Sequence, residues 1–449
     1  MLTSRSHRNW PDYSSNPFEI ALEDSYGSST AGGILCAPIT QVGLMDFLIT
    51  SPGSISLYGH FGGKVWTQEV DIRLSEKAEE NGLPGDHSPG VQIADIDGDR
   101  RLEIVYLDNQ GAIHVLDGVT GREEWVSAPP CPTECETWEI AAICNLRGWG
   151  DRDIILQSTN KSGYRLGRYL QAYTVEDLLM KNYSPIWERH DYFGCAHGGL
   201  RLADLNNDGR DEVIGGSTIN AEGIALEGIP MTANDESNHI DALFPANIRL
   251  DMKGLETVVL ENGGENRVFL LNNDTLIWAS HHKHLKPKYA VAGSFGPDSN
   301  DRYIWCAANS ENSRYPFVFD QFGNVVVDGE TTPGYQTSFW KDGVENVSIV
   351  HWDGGAQQHA CGRTKNAKKT ACIFDPLTGE IIKELTDGAE RVFVADVCGD
   401  WREEVIVLTK EKLLIFSNNQ QNPNRDLPRF WESSIYERAK TNYCLACSQ

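Results

Sequence analysis

Ile93-Ala94-Asp95-Ile96-Asp97-Gly98-Asp99, followed by Leu102-Glu103-Ile104-Val105, decides the architecture of this chain because the pattern is written three times. The second copy is Leu202-Ala203-Asp204-Leu205-Asn206-Asn207-Asp208-Gly209 with Asp211-Glu212-Val213-Ile214. The third is Val394-Ala395-Asp396-Val397-Cys398-Gly399-Asp400-Trp401 with Glu403-Glu404-Val405-Ile406. Each is an apolar run, a carboxylate-rich turn containing glycine, and a second run rich in β-branched residues, which predicts a β-hairpin. Such a unit cannot bury both faces alone, so an array of them must stack or close on itself.

Working outward in the same phase, weaker copies lie at 35–66, 139–173, 240–280, 289–325 and 347–385. The chain therefore holds eight units of roughly 45 to 55 residues, the size of propeller blades. The prediction is all-β: a single β-propeller domain over 1–449, with repeats over about 30–418 and a C-terminal extension over 419–449. Its blades are four-stranded and antiparallel, each with an inner run A, a run B, and a C–D pair such as Ile113-His114-Val115-Leu116-Asp117 with Glu123-Glu124-Trp125. The last unit ends at Phe416 without a D run, and Phe18-Glu19-Ile20-Ala21-Leu22 is a spare strand that would close the ring. The unit at 200–236 has short outer strands, so seven blades is the alternative to eight.

A net charge of −25 disfavours nucleic acid and anionic membranes as partners. No apolar run is long enough to span a bilayer, and a monomer is expected. Met1–Asn9 is polar and basic rather than a signal peptide, which leaves an intracellular chain or a secreted one whose signal has been removed. Among 11 cysteines, Cys131/Cys135, Cys361/Cys372 and Cys444/Cys447 are close enough to bridge, with buried thiols as the alternative. Asn-x-Ser/Thr sites at Asn160, Asn182, Asn273 and Asn346 are compatible with secretion, the localisation expected here.

In a propeller the loops entering A and those joining B to C share one face. His87, His190, His197, His239, His281, His282 and His284 all fall in loops leading into an A run. His87 precedes Asp95 by eight residues, His197 precedes Asp204 by seven and His239 precedes Asn247 by eight, so three imidazoles are expected around one channel mouth. Loop histidines are common without function, but this shared phase is not accounted for by that. His60, His114 and His351 lie off the pattern and read as structural. The B-to-C loops add Tyr164, Arg165, Arg168, Arg314, Tyr315, Arg363, Lys365, Lys368 and Lys369, while Arg201 opens an inner run. A basic, His- and Tyr-bearing mouth on an acidic protein suits an anionic, hydroxyl-rich ligand such as an acidic sugar. A solvated basic rim is the plainer alternative.

On the opposite face, Asp95/Asp97/Asp99 with Glu103, Asp204/Asn206/Asp208 with Glu212, and Asp396/Asp400 with Glu403 alternate oxygen donors around a turn. Calcium is one reading. Asx-type capping of tight turns is the other. No organic cofactor is expected.

Gly399-Asp400-Trp401-Arg402-Glu403-Glu404-Val405, with Ile435-Tyr436-Glu437-Arg438-Ala439-Lys440-Thr441-Asn442-Tyr443, resembles the closing segment of the β-propeller rhamnogalacturonan lyases. The turn at Asp204–Gly216 and His239-Ile240-Asp241-Ala242-Leu243 are similar to that family's calcium-like turn and His-x-Asp-Ala segment. The chain is shorter than those endolyases, and Phe244-Pro245 stands where they carry a second His. The compact mouth looks more like L-rhamnose-α-1,4-D-glucuronate lyases acting on arabinogalactan and gum arabic side chains, or ulvan lyases. The resemblance implies a polysaccharide lyase acting by β-elimination next to a uronate.

Elimination needs a neutralised carboxylate, a base for the C5 proton and an acid for the departing oxygen. Arg165, Arg168 or Arg201 suits the first role in a bidentate fork. His87 is the expected base with His197 second, and Tyr164 or His239 the acid; Arg314, Tyr315, Arg363 and Lys365 are expected to contact substrate. Two rivals are a non-catalytic, calcium-rigidified propeller that binds a glycan or protein, and a quinone-cofactor dehydrogenase, whose blade turns resemble Asp117-Gly118-Val119-Thr120-Gly121 with Trp125.

Overall fold

The structure is a computed structural model, and it describes residues 13–27, 31–41, 43–74, 88–160, 168–195, 199–230, 238–273, 275–281, 287–308, 315–422, 424 and 430–441. Among these residues 32 strands, numbered β1 to β32 in chain order, form eight four-stranded antiparallel sheets. The innermost strands of blades 1 to 8 are β2 (Gly33–Ala37), β6 (Val91–Ala94), β10 (Cys135–Cys144), β14 (Arg201–Ala203), β18 (Asn238–Ala246), β22 (Pro287–Gly293), β26 (Val344–Val350) and β30 (Arg391–Ala395). Blade 4 is complete, although its strands are only three or four residues long, which removes the seven-blade alternative. In blade 8 the order is β1-β32-β31-β30, so β1 (Phe18–Ala21) supplies the outer strand by pairing with β32 (Lys412–Phe416), as expected.

One device explains why the opening pattern repeats. The first residue of the second strand is a buried carboxylate that turns back to accept backbone N–H groups of the A–B turn. Ile96 N–H donates to Glu103 at 2.9 Å, Leu205 N–H to Glu212 at 2.8 Å, and Ile248 N–H to Glu256 at 2.8 Å. Val397 and Cys398 N–H groups donate to Glu404 at 2.9 Å, Leu146 N–H to Asp153 at 3.0 Å and Thr40 N–H to Asp46 at 2.6 Å. A tight turn leaves these donors without a strand partner, and buried donors must be satisfied. The acid at the clamp position of the third copy is Glu404, one residue beyond the expected Glu403. Blades 6 and 7 begin this strand with Tyr303 and His359 instead, and their turns borrow from the next blade: Ser294 N–H donates to Gln358 at 2.8 Å, and His351 N–H to Glu403 at 3.0 Å. That substitution is why the sequence copies are weaker there.

Eight apolar cores lie between the blades, one per neighbouring pair, including one that joins Ile406, Leu413 and Ile415 of blade 8 to Ile34 and Phe47 of blade 1. An open arc of eight sheets would have seven such cores, so the ring is closed. Tryptophans tie the outer edges: Trp66 Nε1 donates to Gly118 O at 2.9 Å, Trp187 to Ala221 O at 3.0 Å, and Trp278 to Gln321 O at 3.1 Å. Gly121, at φ +68°, is required there, because a Cβ would lie 2.6 Å from the Trp66 ring. These contacts account for the Asp-Gly-x-Thr-Gly turns as blade-to-blade docking.

The chain then crosses the A–B end of the channel. Phe430 stacks on Trp401 and Tyr436, Trp431 Nε1 donates to Asp396 O at 2.7 Å, and helix α1 (Ser434–Thr441) packs beside β2 and β6. Tyr436 O–H donates to Glu403 at 2.8 Å, Lys440 Nζ lies 3.2 Å from the same carboxylate, and Arg438 pairs with Asp151 and Asp211 of blades 3 and 4. This segment is the floor of the channel.

Candidate active site at the channel mouth

With the floor crossed by α1, the opposite end is the mouth, where the inner strands begin. A cavity of about 450 Å³ runs between Gln92, Leu200 and Arg201 near the mouth and Asp151, Asp211 and Arg438 near the floor. Arg201 is the first residue of β14. Gln157 fixes the adjacent backbone by accepting Leu200 N–H at 2.8 Å, and Arg201 Nη1 donates to Leu200 O at 3.3 Å. Arg201 thus lines the cavity from a buried position, as its phase predicted.

His239 is the second residue of β18 rather than part of a loop leading into it. Its Nε2 lies 3.4 Å from Asp241 Oδ1, and Asp241 Oδ2 accepts Asn262 Nδ2–H at 2.9 Å. A residue two along a regular strand shares the face of its neighbour, and a bulge between Ile240 and Ala242 shapes this turn of the backbone. Imidazole and carboxylate at this separation are suited to proton transfer or to holding a cation.

His87, Tyr164, Arg165, His197 and Arg314 lie outside the described residues, as do His282 and His284. Arg168 is exposed just before the third strand of blade 3. Lys365 places its ammonium 5.5 Å above the Tyr289 ring, and Tyr315 packs against the core between blades 6 and 7. His281 ends an outer strand, Thr275–His281, instead of entering an inner one.

Arg363 needs correction as a substrate contact. It is buried, its Nη1 donates to Ala389 O at 2.7 Å and its Nη2 to Glu345 at 2.7 Å, so it staples blades 7 and 8 together. Among the described residues, carboxylates match several cations at this end: Arg73 with Glu139, Arg267 with Glu261 and Lys369 with Glu390.

On the floor side, Asp95, Asp97 and Asp99 bring oxygens within 4.8 Å of one another, and they are the group among the described residues that could hold a metal ion. Each also caps its own turn: Asp95 accepts Gly98 and Arg100 N–H groups, Asp97 accepts Asp99 N–H, and Asp99 accepts Arg101 N–H. Asp204 likewise accepts Asp208 and Gly209 N–H groups, Asp208 accepts Arg210 N–H, and Asn206 donates to Glu212. Capping is observed in both turns.

Several mouth residues carried no sequence signal. Gln92 donates to Ala141 O at 2.5 Å and accepts Ile143 N–H at 2.8 Å, joining blade 2 to blade 3. Arg391, the first residue of β30, donates to the carbonyls of Gly32, Ala31 and Glu390. A strand glutamine reads as solvent-facing until its neighbouring blade is placed; Arg391 could have been found, since it occupies the same strand-opening position as Arg201.

A family model described as the C-terminal domain of rhamnogalacturonan lyase family 11 matches residues 162–443. The rhamnogalacturonan exolyase YesX of Bacillus subtilis is 24% identical over an alignment of 383 residues that covers 73% of this chain and 60% of that protein, so the chain spans about 60% of the length of this relative. The crystal structure of the exotype rhamnogalacturonan lyase YesX matches with a TM-score of 0.71 at 16% identity, over 96% of this chain and 81% of that one. The Bacillus licheniformis rhamnogalacturonan lyase PL11 gives 0.64 at 15%, over 97% and 81%. The V. cholerae biofilm matrix protein Bap1 gives 0.56 at 13%, over 99% and 94%. At these identities the structural matches speak for the propeller fold.

Proposed function

The chain belongs to rhamnogalacturonan lyase family 11, and on that premise we propose that it is a polysaccharide lyase that cleaves rhamnose–uronate linkages of rhamnogalacturonan by β-elimination. The observation that carries this reading is the family match over 162–443, which takes in both described candidates at the mouth, Arg201 and His239. An L-rhamnose-α-1,4-D-glucuronate lyase is the finer reading of the compact mouth; the family favours the rhamnogalacturonan backbone.

In this mechanism Arg201 pairs with the uronate carboxylate and draws off charge as the C5 proton leaves. His87 takes that proton, with His197 the second choice, and His239 or Tyr164 protonates the departing O4 oxygen. The buried Asp241 carboxylate lies 3.4 Å from His239 Nε2, within reach of the imidazole that would donate. Secretion belongs to the same reading, since the substrate is an extracellular polymer. So does calcium at Asp95, Asp97 and Asp99 or at Asp204, Asn206 and Asp208, as a rigidifying ion remote from the mouth. Melting curves in calcium and in chelator decide that point, an unchanged midpoint counting against it.

The test is incubation with rhamnogalacturonan, gum arabic and ulvan side by side, following near-ultraviolet absorbance from unsaturated uronate. Release from rhamnogalacturonan is expected. Release from gum arabic alone would favour the glucuronate reading, and release from none would sink the lyase assignment in favour of a binding propeller.

A further inference from the structure

We propose that Cys131 and Cys135 form a disulfide site that pins the loop entering blade 3 at the channel mouth. The segment folds back on itself there, Cys135 N–H donating to Pro132 O at 2.9 Å across a tight turn. Cys131 Sγ lies 3.6 Å from Ser158 Oγ, which itself donates to Thr137 O at 2.6 Å, so the Cys131 side chain rests over the start of the strand that Cys135 begins. Burial pushes the Cys131 thiol up to about 11, and the neighbouring Cys135 adds to that shift.

The other described cysteines do not compete. Cys361 faces Ile373 across the ladder and Cys372 faces Gly362, so the two side chains leave opposite faces of the sheet. Cys361 accordingly lies in the core between blades 7 and 8, and Cys372 in the core between blades 6 and 7, so of the two readings the spacing left open the buried thiols hold and the Cys361–Cys372 bridge does not. Cys36, Cys144, Cys195, Cys306 and Cys398 are buried among the blades; Cys135 is buried too, but it begins its strand beside Cys131, which is half-buried and open to an oxidant.

The step is exchange with an external disulfide. One protein thiolate attacks oxidised glutathione and releases one glutathione thiol. The second thiolate then displaces the other, so two protein thiols are oxidised as one disulfide is reduced to two thiols. The experiment equilibrates the full chain with oxidised glutathione at alkaline pH, blocks remaining thiols and maps peptides without reduction. A peptide holding both cysteines that is about 2 Da lighter and refractory to alkylation supports the site. Two alkylated thiols there, or a link from Cys131 to any other cysteine, overturns it. A second readout uses melting: the oxidised chain should unfold at a higher temperature than the reduced one, and C131S/C135S should lose that difference. A bond that forms without raising the midpoint would contradict the pinning role.

Discussion

In the proposed mechanism, recognition of the uronate turns on a single side chain, Arg201. A planar fork is held at the cavity wall by Leu200 and, through the backbone, by Gln157. Arg201→Gln keeps length and polarity but removes the charge, and kcat on rhamnogalacturonan is expected to fall roughly 10²- to 10³-fold, the cost of losing a donor to a developing anion. The check is kinetics beside a melting curve; full activity would remove Arg201 from the mechanism. Glu103 makes a prediction about stability instead. Burial raises its carboxyl to about 8. The folded chain therefore holds a proton that the unfolded chain has lost above about 4.5, and stability from this group falls as pH rises from about 4.5 to about 8. Glu103→Gln should match the parent near pH 5 and melt higher than it near pH 8. A variant that is less stable at pH 8 would contradict this sign.

At the scale of elements, the hairpins were legible and their partners were not. Apolar alternation, a glycine turn and a carboxylate eight residues after the first aspartate are local, so Glu103 and Glu212 were read by spacing, whereas in the third copy the adjacent Glu403 was read in place of Glu404. Where the clamp is lent by the next blade, as at Gln358 and Glu403, the acid disappears from the repeat and the copy fades. The site divides in the same way. Arg201 was visible because its phase in an inner strand determines where it points, whereas Arg363 looked like a loop cation until Glu345 and Ala389 were brought beside it. The floor segment depends on contacts of this long-range kind. His351 sits against Phe430 and Trp401, and burial lowers its pKa to about 4. Its neutral form is favoured in the fold, so its contribution is complete above about 6.5 and is lost as pH falls toward about 4. His351→Gln should shrink the drop in melting midpoint between pH 7 and pH 5; an unchanged drop would show that His351 does not govern acid loosening of this segment.

For the whole molecule, closure of the ring and closure of the floor have different consequences. β1 on β32 ties the start of the chain to its last blade, and eight inter-blade cores hold the inner strands in register. The C-terminal segment then bridges blade 8 to blades 3 and 4 through Glu403, Asp151 and Asp211, leaving the mouth as the open end, where the proposed mechanism has Arg201 and His239 meet a polymer. The central claim is that this mouth performs elimination, and the mass of the new chain end tests it most directly. Cleavage of rhamnogalacturonan in ¹⁸O-labelled water should give an unsaturated terminal uronate, one water lighter than a hydrolysis product and free of label. A saturated uronate end, with the heavy oxygen on the anomeric carbon of the other new end, would contradict the account.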